Sequence, residues 1–359
     1  APIFGDLELI LDRRFEIDAL SANDLYAAYT IDLLQQTGRY DVVSIVDEWM
    51  PFFGRRGYLT DVPDLTEDGA DAYPPLVRDA AAGIDGTPFV VWPWTVDLTC
   101  LFWNADQVQI NPGSWSDFFL SNPDQSGIPT QIPLNTPEAA AQCFRNVMLS
   151  FGKDLVDPTS HMPTMNSYEA TRALETVKRL AARATPETAL SVDEQTIFSN
   201  LQSGTTAVGT FLEASASWGL WPGANRRSAL IPEGRPGTRI SDASVWMLGV
   251  PAGAPNLDEA RELVVAMTSA AVQSRLWPET GLIPAISEVL EHEWATNAAA
   301  LWVTVAQGLA TGAVWPRMRS FRDVMTLAGE MVRSAVQGIG ATETLLAAAQ
   351  EAMLAEIKQ

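Results

Sequence analysis

Apolar positions follow two rhythms along this chain. Tyr40–Val46, Leu98–Trp103, Thr205–Phe211 and Ser244–Val250 are short apolar or β-branched runs. Runs of that length predict strands, and those apolar almost throughout predict strands covered on both faces. Between them, apolar residues recur at helical spacing over Pro137–Phe151, Tyr168–Ala184, Val192–Gln202, Asn256–Thr268, Phe321–Gln337 and Ala341–Ile357. The helix expected over Ala22–Gln36 opens at Ser21, which with Asp24 forms a capping box using aspartate in place of glutamate, and ends at Gly38. Pro137 suits a first helical position, and Ser114 and Thr342 are read as caps of the helices they open. Gly5–Phe15 places Leu7, Ile10, Leu11 and Arg14 at helical spacing, although Leu7, Leu9 and Leu11 also alternate as a strand would. We expect a helix there, a short strand at Glu16–Leu20, and further helices at Pro51–Gly57 and Pro74–Ala82. Strands alternate with helices, so the class is α/β with mainly parallel pairing.

One stretch interrupts this regular pattern. Val90–Asn104 sets Trp92, Trp94, Trp103, Pro93 and Asp97 between two apolar runs. An aspartate and indoles just before a strand buried on both faces are poorly explained by packing alone. Two other strand ends repeat the combination: Asp47 and Glu48 with Trp49, and Glu213 with Trp218 and Trp221. A sugar or polyol needs both parts, because its C–H faces lie flat on an indole while its hydroxyls donate to fixed carboxylates. Any single tryptophan among the 12 is as well explained as core. Trp103, Trp115, Trp294 and Trp302 are read that way.

Composition narrows the classes. With 359 residues the chain is long enough for two domains, and 47% hydrophobic against 19% charged residues supports packed cores. A formal charge of −21 repels phosphate backbones and anionic lipid, so nucleic-acid partners are not expected. No run approaches the length of a membrane helix. The only histidines are His161 and His292 and the only cysteines Cys100 and Cys143, so no zinc site and no disulfide framework is expected. No G-x-S-x-G, P-loop or G-x-G-x-x-G occurs.

Five segments then resemble one family, the extracellular solute-binding proteins of family 1, the sugar-capturing components of ABC importers and relatives of maltose-binding protein. They are Tyr40–Trp49 with Gly57–Leu59; Gly83–Pro88 with Pro93 and Leu101–Asn104; Pro112–Phe118; Leu201–Gly209; and Ser244–Pro251 with Asp258–Thr268 and Thr280–Pro284. Their order and spacing carry the resemblance more than any one of them. It implies a two-lobe periplasmic-binding-protein-like fold of type II. Each lobe would be a mainly parallel sheet flanked by helices, and hinge crossings would join the two. The N-terminal lobe would take residues 1–99 and 249–290, and the C-terminal lobe 100–248 and 291–359. Family members place a strand, a ligand loop and a long helix before the segment matching Glu16–Leu20. Only residues 1–15 precede it here, so that strand and loop are expected to be missing or replaced. No signal peptide is visible ahead of these residues and Ala1 follows no initiator methionine, so the chain is expected to be processed or trimmed.

The resemblance and the residues together lead to one expectation. The protein is a receptor, not an enzyme, that captures a sugar, polyol or amino sugar by hinge closure and delivers it to an ABC permease from the periplasm or a lipid anchor. It would act as a monomer and without a cofactor. Its ligand-binding residues are expected to be Asp47, Glu48, Trp49, Trp92, Trp94, Asp97, Glu213, Trp218, Trp246 and Arg317. A cationic solute such as a polyamine is the alternative cargo. A glycoside-acting enzyme using a carboxylate pair such as Asp97 and Glu213 is the alternative class.

Overall fold

The computed structural model describes residues 2–54, 57–60, 69, 71–82, 90–121, 130–183, 186–214, 225–296 and 299–358. Its described strands are β1 (Val43–Val46), β2 (Trp92–Asn104), β3 (Thr130–Gln131), β4 (Val208–Glu213), β5 (Arg226–Leu230), β6 (Ala243–Gly249) and β7 (Ile283–Pro284). Helices fill most of the remaining described chain, and the whole divides into two compact units. The first holds residues 1–97 and 244–297, the second 98–243 and 298–359. β2 is thus one strand whose first half belongs to the first unit and whose second half belongs to the second.

In the first unit β6 lies between β1 and β2, and β7 pairs with β2 through Thr95↔Pro284 and Val96↔Ile283. The Pro2–Leu11 helix packs on the Leu257–Met267 and Ala270–Thr280 helices. Its Ile3 and Leu7 join Trp92, Leu248, Val250, Val264 and Leu276 in one core. The helix expected at Gly5–Phe15 thus runs over Pro2–Leu11, and Ile10, at helical spacing with Leu7, falls with Leu9 on its exposed side instead of in the core. The Ala22–Gln35 helix carries the expected cap: Ser21 Oγ accepts the Asp24 N–H at 3.3 Å and donates to its carboxylate at 2.7 Å.

In the second unit β4 lies between β2 and β3, and β5 pairs with β2. The core is formed largely by the Pro137–Ser150, Tyr168–Ala181, Phe321–Val336 and Thr342–Ile357 helices. Two of these approach closely at Gly329, where a Cβ would stand 1.8 Å from the Pro137 carbonyl oxygen. Only a residue without a side chain fits there.

Several expectations change. Of the ladders with a described register, β3–β4 is parallel and β1–β6, β2–β4, β2–β5 and β2–β7 are antiparallel. Strand–helix alternation predicts parallel pairing, but β2 passes from the first unit to the second while β6 enters the first from the second. Glu16–Leu20 is irregular and exposed rather than a strand, and it joins no ladder among the described residues. Thr342 does not cap the last helix. Ala341 holds the cap position, and the Thr342 hydroxyl bonds instead to Glu175 and Lys178. Cys100 and Cys143 are both buried free thiols.

Candidate functional site

β1 ends in a single turn of 3-10 helix, Asp47–Trp49. A strand that stops in a tight turn leaves its last side chains at the sheet's end rather than on its faces. Asp47 is buried, and its Oδ1 accepts the Val245 N–H of β6 at 2.9 Å. A buried carboxylate needs such a donor, since an unpaired one would carry the full cost of desolvation. Glu48 is half-buried and accepts the Trp49 indole N–H at 2.8 Å. Trp49 itself is enclosed. Tyr26, Tyr29, Phe53 and Trp246 stand around it with ring centroids 5.4, 6.3, 6.4 and 5.8 Å away. Trp246, paired with Val46 across the β1–β6 ladder, meets Trp49 edge-on at 78° and stays half-buried. Of these two indoles, Trp246 therefore keeps accessible surface while Trp49 is scaffold.

On β2 the expected residues separate. Side chains alternate along a strand, so Trp92, Trp94 and Val96 take one face and Pro93, Thr95 and Asp97 the other. Trp92 is only 4% exposed and belongs to the first unit's core, and Trp94 packs against that core. The Trp94 indole nitrogen is buried without a hydrogen-bond partner among the described residues. Asp97 is buried on the opposite face, as the last residue of β2 in the first unit. The structure therefore does not bring Trp92 and Trp94 together with Asp97. It does bring Asp97 to the end of the sheet that carries Asp47. The Thr99 N–H, two residues after Asp97, reaches the Asp242 carbonyl, and Val245, three residues after Asp242, donates to Asp47.

In the second unit, Glu213 ends β4 and is half-buried; desolvation raises its carboxyl above the usual range. Trp218 lies outside the described residues. Arg317 is half-buried in the stretch between Val314 and Arg319. That stretch is anchored by Arg145, whose side chain has no exposed surface. Arg145 holds Asp154 through two bonds of 2.9 and 2.8 Å, bonds Asp242, donates to the Val314 carbonyl at 2.7 Å, and lies 4.2 Å over the Trp315 ring. Nothing in the sequence reading singled out Arg145. Its signal was present, since an arginine at helical spacing with Ala141, Met148 and Leu149 faces the core and needs buried anions there.

A family profile decides what kind of protein presents this arrangement. The profile of the bacterial extracellular solute-binding proteins matches residues 12–302. The chain belongs to that family. No curated protein sequence matches this solute-binding protein. Among solved structures it is similar to maltose-bound MalE3 of T. maritima, at 19% identity and a TM-score of 0.87, covering 98% of this chain and 94% of that one. It is also similar to the GacH receptor of Streptomyces glaucescens, solved unliganded and with acarbose, at 18% identity and a TM-score of 0.83, covering 100% and 94%. A third is an ABC-transporter solute-binding protein of Agrobacterium radiobacter K84 in complex with ribitol, at 17% identity and a TM-score of 0.81, covering 99% and 94%. At these identities the likeness establishes the fold, a two-lobe solute-binding-protein fold of mixed α/β class. Among the described residues no helix is long and apolar enough to cross a membrane, and no group of three His, Cys, Asp or Glu side chains could hold a metal.

Proposed function

We propose that this solute-binding protein captures a small neutral polyhydroxy solute, a sugar or polyol, by hinge closure and hands it to an ABC permease in the periplasm or at the outer face of the cell membrane. The observation that carries the reading is the pair of buried carboxylates, Asp47 and Asp97, on the first unit's sheet, with the half-buried Trp246 next in sequence to Val245, the donor to Asp47. Carboxylates already fixed by the fold accept hydroxyl donors without further ordering, and charge-assisted bonds of this kind contribute roughly 1.5–3 kcal/mol each. An indole adds apolar contact for the C–H face of a sugar ring, on the order of 1 kcal/mol. A few such contacts reach the roughly −8 kcal/mol of a micromolar complex. The maltose, acarbose and ribitol bound by the similar structures support this solute class.

In this reading Asp47, Glu48, Asp97 and Trp246 contact solute from the first unit, and Glu213, Trp218 and Arg317 from the second. Trp49, Trp92 and Trp94 support the binding residues from behind. The acidic majority favours one second reading, a cationic solute such as a polyamine or an amino sugar.

A thermal-shift screen separates the two. Maltose, ribitol and D-mannitol are expected to raise the melting temperature, and Asp97→Ala to abolish the rise. A rise with spermidine and putrescine alone would move the assignment to the cationic class. Release of product from an aryl glycoside, lost in Asp97→Asn, would make the protein an enzyme.

A further inference from the structure

The path of β4 into Glu213 is irregular, and both residues at the irregularity, Phe211 and Leu212, are buried. From Trp103↔Val208 to Leu101↔Thr210 the β2–β4 ladder keeps one register, and from Cys100↔Leu212 to Thr99↔Glu213 it keeps another. The extra residue is Phe211, at φ 64° in the left-handed region, where a non-glycine residue is strained. Directly opposed residues on paired strands share a face, and a slip of one residue moves every following side chain to the other face. Without the bulge, Leu212 would oppose Thr99, and Glu213 would point to the face of Cys100. With the bulge, Leu212 takes the buried place opposite Cys100 and Glu213 comes to the face of Thr99. Bulges re-aim a side chain in this manner.

A second group holds the result. The Glu213 backbone N–H donates to the carboxylate of Glu194, the first residue of the Glu194–Ser203 helix, whose cap is Asp193. Glu194 thereby ties the end of β4 to a helix that begins 19 residues earlier in the chain. Glu194 lies in the first turn of that helix, where a carboxylate also complements the helix dipole.

We propose that the Phe211 bulge and the Glu194 carboxylate together aim Glu213, and that Glu194 is a positioning residue for solute capture. The inference rests on Glu213 contacting solute, as in the function proposed above. The Glu194 carboxylate fixes the backbone of Glu213, and the bulge selects the face; Glu194 itself touches no solute.

The test compares Glu194→Ala, Glu194→Gln and Glu213→Ala, with maltose and D-mannitol as titrants in calorimetry and with amide exchange of Glu213 followed by NMR. In Glu194→Ala the Glu213 amide is expected to lose at least tenfold in exchange protection and solute affinity to fall about tenfold. Glu194→Gln keeps an acceptor oxygen and is expected to restore both, which a general loss of packing would not. Unchanged amide protection in Glu194→Ala overturns the proposal, whether or not either titrant binds. Weaker binding in Glu213→Ala but unchanged binding in Glu194→Ala also overturns it while leaving the site intact. Unchanged binding in Glu213→Ala removes Glu213 from the site and the role of Glu194 with it.

Discussion

The two faces of β2 within the first unit are both largely buried and do different things. One carries Trp92 and Trp94 into a core made with Ile3, Leu7, Leu248 and Val264. The other carries Thr95 and Asp97, both nearly without exposure. The aromatic face stabilises through apolar area removed from water, at roughly 25 cal/mol per Å². The polar face can stabilise only through paired donors and acceptors, so a carboxylate placed there depends on what hydrogen-bonds to it. Tryptophan beside aspartate in sequence is therefore not tryptophan beside aspartate in space. At β1 the chain turns instead of continuing, and there neighbours in sequence do become neighbours in space: Glu48 bonds the Trp49 indole.

The largest effect that would break this division is at Trp92. Trp92→Ala is expected to destabilise by about 3–5 kcal/mol, the range for removing a fully buried large aromatic. The change would appear as a lower urea midpoint. Solute affinity of the folded protein should stay within about twofold, because the indole lies on the core face. A tenfold loss of affinity at preserved stability would return Trp92 to the binding wall.

Asp97→Ala tests the other face. Loss of a charge-assisted acceptor is expected to weaken solute binding by roughly 1.5–3 kcal/mol, about ten- to a hundredfold. Asp97→Asn, which keeps one acceptor oxygen, should lose less. Calorimetric titration reads both. Equal affinities in all three proteins would leave Asp97 a structural aspartate.

The division was partly legible in the sequence. Alternation alone assigns Trp92 and Trp94 to one face and Asp97 to the other, and the conjunction of indole and carboxylate drew attention away from that parity. The helices, their caps at Ser21 and Ser114, and the class of fold followed from periodicity and local chemistry. Ladder direction did not, because strand–helix alternation does not reveal which strands cross between units. Nor did the bulge at Phe211, since one extra residue in a ladder has no composition of its own. Arg145 could have been found from its helical position, but its partners Asp154 and Asp242 are distant in sequence and nothing local joins them.

Glu213 extends the comparison to a third setting, a carboxyl whose desolvation outweighs its pairing. Its folded pKa is raised, so the folded protein binds more protons than the unfolded chain between the ordinary glutamate value and the raised one. The stability linked to this group is fully present below the ordinary value and is lost as pH rises through the raised one. Glu213→Gln removes that dependence. Urea unfolding as a function of pH should show wild type losing stability relative to the variant across this window and running parallel to it above. A constant difference at every pH would mean that Glu213 titrates like a solvated glutamate.

The smallest effect is expected at Trp94. Its indole nitrogen is buried with no acceptor among the described residues, while its ring packs on the first unit's core. A buried donor without a partner carries a desolvation cost of about 1–3 kcal/mol, which a phenyl ring does not incur. The smaller ring gives up part of the apolar contact, a term of similar size and opposite sign. Trp94→Phe should therefore change stability by less than about 1 kcal/mol in either direction and leave solute affinity unchanged. A marked loss of affinity, with stability held, would mean that the indole N–H donates to bound solute. Trp94 would then belong to the binding site despite lying on the aromatic face, and face parity would not be what sorts function on this strand.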